Sequence, residues 1–349
     1  MEHGGDLISY KNEYEGKLID YSSNINPLGP PEGLYEELIK EFNGLTSYPD
    51  IKYRELKDSV KDYLKCGVEN VVLGNGAVEI IDNFTSLFNR IIVHMPSFLE
   101  YEKRGRINKK EIIKLDYNND FMIDLNNLEK VISLGDLVIL GNPNNPTGLR
   151  IEKDVLLNVY EIVKAKGGFL LLDEAFYEFS PRDYDSIQLF ESYSYENVGI
   201  IRAATKFFAL PGIRLGYGCT GESIVKEYER VQLPWSINSL AETAGKYIFK
   251  DLNYINKSKD YIHKEREYLL RELNLIKGIK PYDTHSNYIL IELLNWEEEF
   301  IFKFFLKRGY VLRKCSSFEK LGENHIRIAI KDRENNERLL SIFKELEEI

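Results

Sequence analysis

Short runs of continuous apolar residues alternate with amphipathic segments through the middle of the chain. Val71-Val72-Leu73 leads into a helical pattern over 77–88. Ile91-Ile92-Val93 precedes a second over 97–106, and Ile112-Ile113 with Leu115 follows. Residues 137–140 precede a third over 152–166, and apolar runs at 169–172 and 198–201 complete the series. Runs without polar alternation belong to strands buried on both faces, so the pattern predicts an α/β fold with a mainly parallel sheet sandwiched by helices. In such sheets ligands sit beyond the carboxyl ends of the strands, so chemistry is sought directly after each run.

The last hundred residues follow another pattern. One long amphipathic helix over 240–273 is expected first, then a strand at 288–292 and a helix at 298–307. Strands at 311–312 and 326–330 and a final helix follow. This reads as a smaller α+β domain. The expected division is a large domain over 43–239 and a small one made of 1–42 with 240–349.

Composition narrows the partners. The net charge is −10 and no Lys/Arg run forms a cationic stripe, which argues against nucleic acid and against an anionic membrane surface. The apolar stretches are too short to cross a bilayer and the start lacks a signal-peptide layout, so a cytoplasmic protein is expected. Cys66, Cys219 and Cys315 are far apart with no paired spacing, which supports neither a metal site nor a disulfide framework.

Four strand ends carry candidate chemistry. After 137–140 comes Gly141-Asn142-Pro143-Asn144-Asn145-Pro146-Thr147-Gly148, a turn-rich loop whose amides could grip a planar polar ligand. After 169–172 comes Asp173, either a helix cap or a carboxylate awaiting a cationic ring nitrogen. After 198–201 comes Arg202-Ala203-Ala204-Thr205-Lys206-Phe207-Phe208, where Lys206 between aromatic neighbours would be a poorly solvated amine, and Arg214 adds a cation of use to phosphate. Gly74-Asn75-Gly76-Ala77 stands between a strand and a helix, where free backbone amides can hold an anion.

In this order the motifs resemble those of the fold-type I pyridoxal-phosphate enzymes of aminotransferase class I/II, over nearly the whole chain. The resemblance implies the aspartate-aminotransferase fold with a seven-stranded sheet, pyridoxal 5′-phosphate as cofactor, and a homodimer with shared active sites. It places the cofactor-carrying lysine at Lys206 and the acid facing the pyridine nitrogen at Asp173. The phosphate ligands would be Arg214, Thr205 and the turn Gly76-Ala77. Asn145 falls on the donor to the 3′-oxygen, and Phe98, in Pro96-Ser97-Phe98, on the ring that stacks over the cofactor. Tyr48, in Tyr48-Pro49-Asp50, falls on the tyrosine that reaches the neighbouring subunit's cofactor phosphate. Arg327 falls on the clamp for the substrate carboxylate, which a bidentate guanidinium suits.

Two branches of the family resemble the chain most, the threonine-phosphate decarboxylases of cobalamin biosynthesis and the histidinol-phosphate aminotransferases. The run Asp20-Tyr21-Ser22-Ser23-Asn24-Ile25-Asn26-Pro27-Leu28-Gly29, the start His3-Gly4-Gly5, Thr205-Lys206-Phe207 and the stretch Leu312-Arg313-Lys314-Cys315-Ser316-Ser317-Phe318 lean to the decarboxylases. So does Phe176, where the aminotransferases usually have a tyrosine. Decarboxylation of L-threonine O-3-phosphate to aminopropanol phosphate is therefore the expected reaction, with Arg313, His3 and Asn24 as candidate contacts to the substrate phosphate. A histidinol-phosphate type of aminotransferase is the alternative. Ala203 stands where a hydroxyl is common, weakening the phosphate cup by one hydrogen bond, about 1 kcal/mol. Val78 likewise puts a side-chain contact to the cofactor phosphate in doubt. A catalytically inert binding module is opposed by the intact set of Lys206, Asp173 and Arg214.

Overall fold

The computed structural model describes residues 4–348; His3 lies outside them. In chain order the strands are β1 (Ile19–Asp20), β2 (Val71–Gly74), β3 (Arg90–Met95), β4 (Glu111–Asp116), β5 (Asp136–Gly141), β6 (Phe169–Asp173) and β7 (Val198–Ala203). β8 (Gly216–Thr220), β9 (Ile279–Pro281), β10 (Tyr288–Leu293), β11 (Tyr310–Val311), β12 (Arg313–Lys314) and β13 (His325–Ala329) follow. Seven of them form one sheet in the order β2-β8-β7-β6-β5-β3-β4. All neighbours in it run parallel except β8, which is antiparallel to both β2 and β7.

The apolar runs explain the layering. Every residue of β2, β5, β6 and β7 is buried, as expected of strands covered on both faces. β4 closes one edge, mixes polar with apolar residues and buries only Leu115 fully, having a neighbour on one side only. The carboxyl ends of β5, β6 and β7 lie side by side, so the Asn-rich loop, Asp173 and the Lys206 segment open onto the same crevice.

A four-stranded antiparallel sheet, β12-β13-β10-β9, stands opposite. β1 pairs in parallel with β11, so the N-terminal segment joins the C-terminal elements. From there it threads between the two sheets: Ala329 donates its N–H to Tyr21 O at 2.9 Å and Asn26 donates to Lys206 O at 3.0 Å.

Three local expectations need correcting. The long helix over 240–273 is two helices, Ser239–Ile248 and Leu252–Leu273, because Asp251 caps the second by accepting the Tyr254 N–H at 2.9 Å. The strand at 311–312 is the short pair β11 and β12, which belong to different sheets and put Arg313 beside β13. β8 falls where the apolar pattern marked no strand. Its glycines are required by close approach, since a Cβ on Gly218 would sit 2.1 Å from Ile200 O. No helix among the described residues is long and apolar enough to cross a membrane.

Candidate active site

A cavity of about 410 Å³ opens at the carboxyl ends of β5, β6 and β7, within the range usual for small-molecule sites. Asn24, Ala77, Phe98, Asn145, Asp173, Thr205, Lys206, Arg214, Arg313 and Arg327 all line it. The structure thus gathers ten of the predicted residues in one place. Gly76 is not in its lining but adjoins Ala77 and Arg214, which are. Tyr48 does not face this cavity: it is 80% exposed, its ring 4.6 Å from that of Trp235.

Lys206 occupies the turn after β7. Burial, and then the Arg327 guanidinium, push its ammonium down to about 8, so about a tenth is free amine at pH 7. The neighbouring Phe207 and Phe208 are fully buried and pack against Phe179 and Phe249, anchoring the turn in the core. Asp173 ends β6. Its carboxylate accepts from Tyr101 Oη at 2.8 Å and from the Ala175 N–H at 3.0 Å. It has no ion-pair partner among the described residues, and burial raises its affinity for a proton. A buried anion with two neutral donors and no cation suits a ligand that brings a positive ring nitrogen.

The residues expected to hold a phosphate meet at one helix start. Gly76, at φ +79°, precedes the helix Ala77–Leu87, whose first turn carries no side-chain cap. Its N–H groups are therefore open to an anion. A Cβ on Gly76 would lie 2.2 Å from Arg214 Nη2, so only glycine lets that guanidinium rest over the helix start. Gly216 of β8 packs against the same turn, its missing Cβ 2.5 Å from the Gly76 carbonyl carbon. Thr205 completes this side with a hydroxyl, whereas Val78 and Ala203 add only apolar surface.

The Asn-rich loop divides its labour. Asn142 is consumed by the protein, donating to Glu174 Oε1 at 3.0 Å and accepting from the Ile151 N–H at 2.9 Å. Asn144 donates to Pro96 O at 3.0 Å. Asn145 alone of the three faces the cavity, its Oδ1 accepting from Arg327 and its Nδ2 left as a donor.

The opposite wall is cationic. Arg313 and Arg327 are directly opposed across β12 and β13, and both are buried. Like charges so placed destabilise a sheet unless an anion answers them. Burial and the Arg327 charge push Arg313 down to about 10. Arg313 is held by Lys314 O at 2.6 Å, Ser317 Oγ at 2.7 Å and the face of Phe318 at 5.0 Å. The loop that supplies these partners is fixed by the buried Glu298, which accepts from the Ser316 N–H at 2.9 Å. Arg327 donates to Ser22 O at 2.9 Å. Asn24 is buried, and its Oδ1 has no hydrogen-bond partner among the described residues.

Sequence reasoning missed Tyr101, Ser22, Ser23 and Phe318, all of which line the cavity. Ser22 and Ser23 could have been found from Asp20, whose carboxylate takes the Ser22 N–H at 2.8 Å and the Ser23 N–H at 3.1 Å. An Asp two and three residues ahead of a Ser-Ser pair is a turn signal that shapes the segment.

The chain matches the family described as Aminotransferase class I and II over residues 16–343. A protein named "Putative threonine-phosphate decarboxylase" from Caldanaerobacter subterraneus subsp. tengcongensis is 39% identical over 356 residues, covering 99% of this chain and 94% of that one. The histidinol-phosphate aminotransferase of Methanocaldococcus jannaschii is 30% identical over 337 residues, covering 94% and 89%. The crystal structure of the histidinol-phosphate aminotransferase from Clostridium acetobutylicum matches with a TM-score of 0.89 at 39% identity, covering 95% of this chain and 99% of that one.

Proposed function

The chain belongs to the aminotransferase class I and II family and takes pyridoxal 5′-phosphate, and from that premise we propose that it decarboxylates an O-phosphorylated amino acid, L-threonine O-3-phosphate, to aminopropanol phosphate. The observation that carries the reading is the opposed pair Arg313 and Arg327 in one pocket wall. A substrate bearing both a carboxylate and a phosphate answers two buried guanidiniums at once. Asn24 and Ser23 stand on the same wall and supply the polar groups such a substrate needs. Phe176 adds a ring without a hydroxyl, 4.9 Å from the ring of Tyr288.

When bound, the cofactor supplies an electron sink for the pair left at Cα. Asp173, kept anionic by two donors, would hold a proton at the ring nitrogen. Arg214, Thr205 and the amides following Gly76 would hold the cofactor phosphate, and Phe98 would cover the ring. Asn145 would donate to the 3′-oxygen. Arg327 would clamp the substrate carboxylate and Arg313 its phosphate. Lys206 carries the cofactor at rest, and its amine would return a proton to Cα after the carboxylate departs as carbon dioxide. The sum is one amino acid and one proton in, one amine and one carbon dioxide out.

In the same reading, residues 43–239 hold the cofactor, while 1–42 and 240–349 cover the substrate. Tyr48 would serve a second copy. Ile39, Phe42, Leu45 and Ile51 are exposed on the same segment, and a partner laid on this apolar face would receive the Tyr48 ring.

An aminotransferase acting on histidinol phosphate is the second reading, favoured by the names of two similar proteins. Purified holoenzyme given threonine phosphate without any oxo acid separates the two. Carbon dioxide and aminopropanol phosphate in equal amounts support decarboxylation. Strict dependence on an oxo-acid acceptor, with no carbon dioxide, replaces it with transamination.

A further inference from the structure

Tyr101 is fully buried at the start of the helix Glu100–Ile107, and its hydroxyl donates to Asp173 Oδ2 at 2.8 Å. Space for that oxygen is left by Gly141 at the end of β5, whose missing Cβ would lie 3.3 Å from it. The same ring stands edge-on to Phe98, with centroids 5.6 Å apart and planes at 86°. One side chain therefore touches both the acid and the aromatic cover of the site. We propose that Tyr101 is a positioning residue that holds Asp173 as an aimed anion, so that the cofactor's ring nitrogen keeps its proton.

The physical case is a competition for one proton. Asp173 sits in apolar surroundings that favour its neutral form. Besides Tyr101, the hydrogen-bond donor to Asp173 among the described residues is the Ala175 N–H. Glu174 next door adds a repulsive charge, although Arg202 holds it at 2.9 Å. Tyr288 lies close too, but spends its hydroxyl on Asn144 O at 2.7 Å. Burial and the Asp173 charge keep the Tyr101 phenol protonated, so it remains a donor at every working pH. Without it, Asp173 would draw the proton from the ring nitrogen and lose its fixed direction.

The proposal rests on pyridoxal 5′-phosphate occupying the pocket, which cofactor binding by the wild-type apoprotein tests by itself. The test compares wild type, Tyr101→Phe, Asp173→Asn and the double variant, each loaded with cofactor labelled with ¹⁵N in the ring. Tyr101→Phe should move the nitrogen resonance from its protonated towards its unprotonated position. It should also weaken cofactor binding by apoprotein about tenfold or more, the scale of one hydrogen bond to a charged group. In the Asp173→Asn background the same change should alter binding less than about twofold, because the two residues act as a unit. An unmoved resonance, or an equal loss of affinity in both backgrounds, overturns the proposal and leaves Tyr101 as packing alone. Tyr101→Phe keeps the buried ring, and matched melting temperatures will show that the fold is not what changed.

Discussion

The floor of the cavity is made by residues that end or closely follow strands of one sheet, whereas its opposite wall is gathered from segments far apart in the chain. Asp173, Lys206 and the Asn145 loop follow β6, β7 and β5, three adjacent buried strands. On the far wall Ser22 O meets Arg327 across 305 positions of sequence. The floor is rigid because each side chain inherits its place from a fully packed strand. The wall depends on a few contacts: the β12–β13 pairing, the Asp20 turn and the Glu298 anchor. This separates the roles: damage to the floor should show as lost cofactor, and damage to the wall as lost substrate affinity.

The largest expected effect is on the floor. Lys206→Ala removes the amine proposed to carry the cofactor and return the proton, and should lower the rate of carbon dioxide release by on the order of 10⁴-fold. Retained turnover in this variant would break the comparison outright. On the wall, Arg313→Gln should raise the KM for threonine phosphate about a hundredfold, with cofactor affinity unchanged in an equilibrium titration. If cofactor binding falls equally, the two walls are not separate devices.

Gly76→Ala sharpens the floor. The new Cβ would overlap Arg214 and a positive φ disfavours alanine, so cofactor affinity should drop about tenfold while the KM for substrate on the loaded fraction stays within about twofold. The last effect is a pH dependence. Lys206 titrates at about 8, below its ordinary value of 10.5, so the neutral amine grows as pH rises through that point. Uptake of pyridoxal 5′-phosphate by apoprotein should therefore accelerate about tenfold between pH 7 and a plateau near 9. The unfolded chain holds this proton to higher pH, so the apoprotein should also gain stability from pH 8 to 10.5 through this group. Arg327→Gln removes the second largest cause of the shift and should move the inflection upward, which stopped-flow absorbance will follow.

The floor was legible in sequence because burial on both faces writes an uninterrupted apolar run, and the functional residue comes next in the chain. The parts that escaped are those whose cause lies elsewhere. β8 reads Gly-Tyr-Gly-Cys-Thr, with glycines required by Ile200 and by the Gly76 turn rather than by any strand preference. The break after Ile248 depends on one capping aspartate in a polar stretch. Tyr101 meets Asp173 across 72 positions, and nothing local marks its hydroxyl as a partner for that acid. Arg313 is a candidate through the resemblance alone, no local pattern marks it as buried, and its pairing with Arg327 is what places it inside. Long-range contacts carry no local pattern, and the wall is made of them.

The proposed function requires the ε-nitrogen of Lys206 to be the point of attachment for the cofactor. Borohydride reduction of the holoenzyme followed by peptide mass mapping tests this directly. The predicted result is a single modified peptide with the reduced cofactor's mass on Lys206. A label on another lysine, or a protein that binds pyridoxal 5′-phosphate without any reducible attachment, would contradict it.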